Sequence, residues 1–213
     1  MTQNQPQSMS AYPATIKGHL DAPLSRWLWL LKILLVIPHV IVLLLLSVAV
    51  AIATLIAFFA IVITGKYPRG LFDFNQGVMR WSWRVGFYSY QAMGTDKYPP
   101  FSLDSLPDYP ADLKVEYPAK LSRWMPLVKW LLALPHYLIV GVFGGGIGSS
   151  KYGGLTLLLV IVSGISLLFT GKYPQGLYKL IIGMNRWSIR LAAYVLLMTD
   201  KYPPFSMDME EEG

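Results

Sequence analysis

Residues 33–63 read ILLVIPHVIVLLLLSVAVAIATLIAFFAIVI and carry no charged side chain. Only Pro38, His39, Ser47 and Thr54 interrupt this apolar run. Apolar runs longer than about 18 residues are typical of helices that cross a membrane. The stretch therefore predicts an integral membrane protein built from helices.

The same short motifs occur twice along the chain, which indicates two tandem repeats. They are Arg-Trp (from 26 and 123), Pro-His (38 and 135), Thr-Gly-Lys-Tyr-Pro (64 and 170), Arg-Trp-Ser (80 and 186) and Asp-Lys-Tyr-Pro-Pro-Phe (96 and 200). We divide the chain into a disordered tail at 1–11, repeat 1 at 12–104, a linker at 105–116, repeat 2 at 117–208 and an acidic tail at 209–213.

The composition agrees with a membrane protein and excludes several functional classes. Of the 213 residues, 54% are hydrophobic and 14% are charged, whereas a soluble domain has about a quarter charged residues. The absence of cysteine excludes disulfides, thiolate metal sites and a cysteine nucleophile. The net charge of +6 comes from bases that flank apolar segments, so we expect contact with a membrane leaflet and no nucleic-acid partner.

A glycine-rich insertion in repeat 2 shows where each apolar stretch is expected to turn. The offset between the repeats is 97 before it (136 − 39) and 106 after it (171 − 65), so repeat 2 has nine extra residues, at 144–152. Because insertions are tolerated in loops, we predict antiparallel helices at 124–143 and 155–169. By equivalence, repeat 1 turns near residues 46–48. The rival for repeat 1 is an in-plane helix before Pro38 followed by one long span.

The third segment of each repeat, at 71–93 and 177–198, is long enough to span but carries two arginines one turn apart. A central arginine costs roughly 2.5–3.5 kcal/mol on insertion scales, so we predict amphipathic interfacial helices instead, with Trp81, Trp83 and Tyr88 as anchors. The predicted fold is all-α, with a transmembrane hairpin and an interfacial helix in each repeat. This gives four spans, with six as the alternative. The candidate headgroup-binding residues are Arg80, Arg84, Arg186, Arg190, Lys66 and Lys172.

The sequence allows two interpretations of the arginines. The arginine stripe is either a plain solvated face or a lipid contact, and Asp96 and Asp200 are candidate partners for Arg84 and Arg190.

Gly65 and Gly171 suit helix C-caps, because the helices end there and proline follows.

The repeated charge pattern constrains the orientation of the two repeats. An odd number of crossings per repeat would place identical bases on opposite sides of the membrane, against the positive-inside rule. Two spans per repeat place nearly all bases on one side. We therefore predict a multi-pass protein of the bacterial inner membrane with both termini and the linker in the cytoplasm.

His39 and His136 each follow a proline inside an apolar helix. The structural interpretation is that each histidine donates a hydrogen bond to a backbone carbonyl freed by the proline. The alternative is an intramembrane polar centre, namely a metal or haem ligand pair or a proton relay. Two histidines without nearby carboxylates form a poor metal site, so we predict the structural role, with no metal and no cofactor.

The combined motifs resemble the bacterial membrane family catalogued as domain of unknown function 4389, in two copies between about residues 12 and 208. The resemblance implies a multi-spanning protein and carries no established activity. No hydrolase elbow, phosphate loop or dinucleotide fingerprint occurs, so we expect no enzyme. We predict a non-catalytic scaffold or accessory subunit of a larger membrane complex, with lipid at its basic face. The alternative is a carrier or handler of lipid or another amphiphile.

Overall fold

The computed structural model of the protein describes residues 12–144 and 154–207. The predicted disordered tail, most of the glycine-rich insertion and the predicted acidic tail lie outside the described residues. Among the described residues, seven helices and two strands occur in the order given below.

Repeat 1 contains strand β1 (Ala14–Gly18) and helices α1 (Leu28–Leu35), α2 (Ile37–Thr64) and α3 (Arg69–Tyr88). Because α2 is unbroken, the turn predicted near residues 46–48 is wrong, and the chain instead has a short helix before Pro38 and one long helix from Ile37 to Thr64, as the rival predicts. The physical reason is local: no glycine or proline interrupts this region, whereas Pro38 stands in the first turn of α2, where its missing N–H is not needed.

Strand β2 (Ala111–Val115) precedes repeat 2, which contains helices α4 (Met125–Leu132), α5 (Leu134–Gly144), α6 (Leu155–Thr170) and α7 (Gln175–Val195). The helix predicted at 124–143 is in fact α4 and α5, bent by 52° before Pro135. The break is equivalent to the one between α1 and α2. Tyrosine hydroxyls cover the carbonyls at both breaks, Tyr98 bonding to Leu35 O and Tyr202 to Leu132 O, each at 3.1 Å.

The two strands form an antiparallel sheet, so the all-α prediction is wrong in this detail, and β2 lies within the segment predicted as a linker. Ile16 pairs with Leu113, and these residues are repeat equivalents because 113 − 16 = 97. Antiparallel pairing of equivalent residues places a local twofold axis between them. The sheet therefore lies on the pseudo-twofold axis that relates the repeats.

The repeats are interlocked through these strands. β2 packs against α3 of repeat 1, and β1 packs against α7 of repeat 2. Two equivalent tyrosines repeat the exchange: the Tyr12 hydroxyl contacts Arg190 O at 3.2 Å, and the Tyr109 hydroxyl contacts Arg84 O at 3.5 Å. Each repeat therefore depends on the other for part of its core.

The buried and exposed surfaces give the molecule one polar side and one apolar side. Ile16 and Leu113 face a core that includes Ala57 of α2 and Val160 of α6, whereas Lys17 and Lys114 point away from it. The outer surfaces of α1, α2 and α4–α6 expose large apolar side chains. Within the described residues, α2 alone is long and apolar enough to cross a membrane, or two spans qualify if bent α4–α5 counts as one.

Candidate functional site

A cavity of about 480 Å³ lies between the repeats, next to Leu113 of the sheet. Both repeats line it with equivalent residues, for example Ser82 with Ser188 and Leu43 with Val140. The cavity thus lies near the pseudo-twofold axis, where α2 and α3 meet α5, α6 and α7. Its volume falls within the roughly 300–1,000 Å³ that ligand pockets occupy.

The lining of the cavity includes both polar and apolar side chains. The Asn185 amide nitrogen donates to Gln91 O and to Ile181 O, both at 2.9 Å, and Asn185 and Gln91 both line the cavity. Helices α2 and α5 contribute apolar residues, among them Val50 and Phe143. This arrangement can accommodate a molecule with a polar head and an apolar tail.

The arginine stripe of α3 binds the outer edge of the sheet. Arg80 donates to Leu113 O and Leu103 O, both at 2.9 Å, and its guanidinium lies 3.0 Å from the Asp112 carboxylate. Val115 N donates to the Gln76 side chain at 2.7 Å. An open strand edge exposes unpaired backbone groups, and the polar stripe satisfies them. The stripe is therefore not a solvated face.

The two inner arginines are buried, at 0% exposure for Arg84 and 6% for Arg190. Arg84 donates to Ser102 O, and Arg190 donates to Ser206 O at 3.2 Å. This burial contradicts the headgroup contact predicted for Arg84 and Arg190. The two side chains are buried because each lies between its helix, α3 or α7, and the chain segment that follows that helix. Arg186 is half-buried on α7.

The prediction of interfacial anchors on α3 is wrong. Trp81, Trp83 and Tyr88 are buried in the protein and do not serve as exposed anchors. Trp83 donates its indole N–H to Lys17 O at 2.8 Å, which ties α3 to β1. Helices α3 and α7 pack against the strands of the sheet, and both line the cavity.

Asp96 and Asp200 pair with lysines and not with the arginines suggested from the sequence. Lys32 Nζ lies 2.9 Å from the Asp96 carboxylate and 2.6 Å from Thr95 O, and Lys129 repeats this with Asp200 at 2.8 Å. Burial lowers the pKa of Lys32, and the Asp96 hydrogen bond opposes that shift. The lysines fasten the short helices α1 and α4 to the tails that follow α3 and α7.

Each histidine lies in an aromatic cluster. The Trp81 indole donates to His39 Nδ1 at 3.1 Å, and the His39 ring stacks on Phe101 with centroids 3.9 Å apart. Repeat 2 reproduces the cluster, with Trp187 donating to His136 at 2.9 Å and Phe205 stacking at 4.2 Å. The Tyr-Pro-Pro-Phe motif thus packs its aromatic rings against the helix breaks.

These contacts correct the predicted backbone role of the histidines and define their tautomer. Indole N–H is only a donor, so Nδ1 is the acceptor and the proton of neutral His39 is on Nε2. A protonated Nε2 has no lone pair for a metal. In the part of the chain that the structure describes, Nε2 of His39 and of His136 is buried without a hydrogen-bond partner.

Lys66 and Lys172 follow the ends of α2 and α6 and are exposed. The preceding Gly65 and Gly171 adopt φ of 72° and 69°, so the predicted C-caps are confirmed. Among the six predicted headgroup residues, these two lysines are exposed, whereas the four arginines are partly or fully buried.

Sequence reasoning missed the residues that shape the cavity and the short helices. Gln91 and Asn185 are not repeated, so no pattern marks them. Lys32 and Lys129 left a signal, because each is a lone charge in an apolar segment and they are 97 positions apart (129 − 32). A repeated charge of this kind indicates an internal ion pair.

The family model described as Domain of unknown function (DUF4389) matches residues 26–102 and 124–207. These two segments cover more than half of the chain, so the protein belongs to this family and contains two tandem copies of the domain. No curated protein and no solved structure matches the chain.

Proposed function

We propose that this protein is a non-catalytic membrane protein that binds a lipid or another amphiphile between its two repeats. The observation that carries the proposal is the cavity of about 480 Å³ lined by both repeats. Its lining combines polar residues such as Asn185 and Gln91 with apolar residues of α2 and α5, whose outer surfaces are also apolar. A membrane amphiphile has the matching distribution of polar and apolar groups.

Insertion into a membrane is supported by the exposed surface of α2. The most apolar window of this helix has a mean hydropathy of 3.1, and 11% of it is buried in the protein. Leu45 and Ile63 are each 70% exposed. Large contiguous apolar surfaces are uncommon on soluble monomers, and lipid would remove this one from water.

The pseudo-twofold axis supports one common orientation for both repeats. An axis along the membrane normal gives equivalent charges in the two repeats the same depth, as the positive-inside rule requires. The charged face of the sheet, with Lys17 and Lys114, is then on the cytoplasmic side. The first described residue, Tyr12, lies just before β1, and the last described residue, Met207, lies near Gly18 at the end of β1. Both are therefore beside the sheet, which supports cytoplasmic termini.

Lipid contact at basic residues is a further part of this proposal. Lys66 and Lys172 are exposed directly after apolar helices, where lysines reach headgroups. The proposed location is the bacterial inner membrane, which the chain crosses more than once.

Single cysteines test the orientation, because the native chain contains none. A membrane-impermeant maleimide is expected to label Thr15→Cys in inverted vesicles and not in intact cells. Leu45→Cys, on the exposed side of α2, is expected to react only after detergent is added. Labelling of Thr15→Cys from the outside of intact cells would overturn the proposed orientation.

Lipid analysis tests the cavity. Protein extracted with its native lipids in polymer discs is expected to retain an amphiphile at a fixed ratio. Ser188→Phe fills the cavity and is expected to lower that ratio, whereas the exposed strand variant Thr15→Phe is the matched control. Equal retention by both variants would contradict the proposal.

A second candidate function is the accessory subunit of a larger membrane complex. The specific observation is the exposure of Trp27 at 65% and Trp124 at 76% on equivalent positions beside α1 and α4. Tryptophan is enriched in protein interfaces and also in membrane belts. Native mass spectrometry distinguishes the candidates, because a stoichiometric protein partner without a retained amphiphile favours the subunit.

A further inference from the structure

We infer that the cavity selects an amphiphile with an uncharged hydrogen-bonding head, a deduction that rests on the proposed function. The polar side chains that line the cavity are all neutral. They are Ser47, Ser82, Gln91, Thr156, Asn185 and Ser188. Among the described lining residues there is no Lys, Arg, Asp, Glu or His.

The charge of the lining determines which heads can bind. An ionised head that leaves water needs an opposite charge, because burying an unpaired charge is far more costly than burying a paired or neutral group. Hydroxyl and amide groups of the lining satisfy the hydrogen bonds of a glycerol or amide head without such a partner. Neutral heads are therefore favoured over phosphates and carboxylates.

The position of the head follows from the rigid part of the lining. Asn185 is held by two hydrogen bonds from its amide nitrogen, to Gln91 O and Ile181 O. This restraint fixes the plane of the amide beside the main chain of Gln91. A preorganised polar group loses little entropy when it binds a ligand.

The pseudo-symmetry is broken at this point, which gives the ligand one orientation. Asn185 is equivalent to Met79, since 185 − 106 = 79, and both line the cavity. The amide of repeat 2 is therefore matched by a thioether in repeat 1. The head is bound near Asn185, and the tail extends along Leu43 and Val140 of the apolar helices α2 and α5.

Photo-crosslinking of the full chain in phosphatidylcholine vesicles tests this selectivity. Three probes have the same diazirine-bearing acyl chain: a monoacylglycerol, a fatty acid and a lysophosphatidylglycerol. The monoacylglycerol is expected to crosslink to peptides containing Leu43 or Val140 at least roughly tenfold more than either anionic probe, because the lining has no counter-charge for them. Comparable crosslinking of all three probes would overturn the inference.

Two variants make the test independent of folding defects. Gln91→Lys introduces a cation at an exposed position beside Asn185 and is expected to raise crosslinking of the fatty acid probe. Asn185→Leu is expected to lower monoacylglycerol crosslinking about tenfold, since it removes the fixed amide. A fatty acid signal that Gln91→Lys leaves unchanged would contradict the placement of the head.

The outcomes separate this inference from the proposed function. If Ser188→Phe blocks all three probes equally well and the native chain shows no preference, the cavity binds amphiphiles and the neutral-head inference is overturned. If no probe crosslinks to the cavity peptides above the level of Ser188→Phe, both the binding function and the inference are overturned.

Discussion

Trp81 donates its indole N–H to Nδ1 of His39 at 3.1 Å, and the equivalent residues Trp187 and His136 make the same contact at 2.9 Å. The bond joins the start of α2, just after the break that separates it from α1, to the middle of α3. Because it recurs in both repeats with the same stacking phenylalanine, it is a structural element of the domain and defines a neutral histidine with its proton on Nε2.

Trp81→Phe is expected to destabilise the protein by about 1–3 kcal/mol, because it leaves the buried Nδ1 acceptor of His39 without its donor. Thermal unfolding in detergent measures the loss. The control is Trp27→Phe, since Trp27 is 65% exposed. Nitrogen NMR of labelled histidine gives a second readout: the native chain is expected to show the Nε2–H tautomer, and an Nδ1–H signal for His39 would contradict the assignment.

The two single variants of the Lys32–Asp96 pair are expected to lose different amounts of stability. Asp96→Ala leaves a buried ammonium without its counter-charge and is expected to cost on the order of 2 kcal/mol, less than a fully buried pair because Asp96 is partly exposed. Lys32→Met removes the buried charge itself and is expected to cost less. The double variant Lys32→Met with Asp96→Ala is expected to recover stability relative to Asp96→Ala alone. If the loss in the double variant equals the sum of the two single losses, the pair is not electrostatically coupled.

Arg80 predicts a strong dependence of the sheet on one side chain. Arg80→Leu removes the donor to Leu113 O and Leu103 O and leaves these carbonyls unpaired, so we expect a loss of about 2–3 kcal/mol. Arg69 on the same helix is the matched control, because its pair with Asp73 is exposed on both sides and such pairs contribute little. A loss for Arg69→Leu as large as that for Arg80→Leu would contradict the role of Arg80 at the strand edge.

These arginines show what the sequence could and could not predict. Spacing predicts the arginine stripe, but spacing does not distinguish a helix face that meets water from one that meets a strand edge. The strands alternate buried and exposed residues, as in Ala14, Thr15 and Ile16. Five residues are too few for this alternation to identify a strand, and the pairing joins residues that are far apart in the sequence. The repeats, the apolar segments and the glycine caps were predictable because each leaves a local or periodic signal. The cavity was not, because it depends on residues such as Asn185 that differ between the repeats.

Tyr67 predicts a loss of stability at alkaline pH. Burial raises its pKa to about 12, although hydrogen bonds to Asn75 and Thr54 lower it in part. Since the unfolded phenol titrates near pH 10, its contribution is complete below about pH 10 and is lost as the pH rises towards about 12. The difference in melting temperature between the native chain and Tyr67→Phe is therefore expected to shrink across this range. A difference that stays constant up to pH 12 would contradict the buried, neutral phenol.

The interlocked repeats predict that the chain can be split but that its halves cannot fold separately. Fragment 1–104 has β1 without α7, and fragment 105–213 has β2 without α3, so each lacks the helix on which its strand packs. Co-expressed fragments are expected to co-purify through a tag on one of them, with a melting temperature near that of the intact chain, whereas each fragment alone is expected to aggregate in detergent. Ile16→Asp in fragment 1–104 is expected to abolish co-purification, because it buries a carboxylate opposite Leu113 on the pseudo-twofold axis. Thr15→Asp, on the exposed face of the same strand, is the matched control and is expected to preserve it. A monodisperse, cooperatively unfolding fragment 1–104 on its own would show that the exchanged strands are not required for the fold of a repeat.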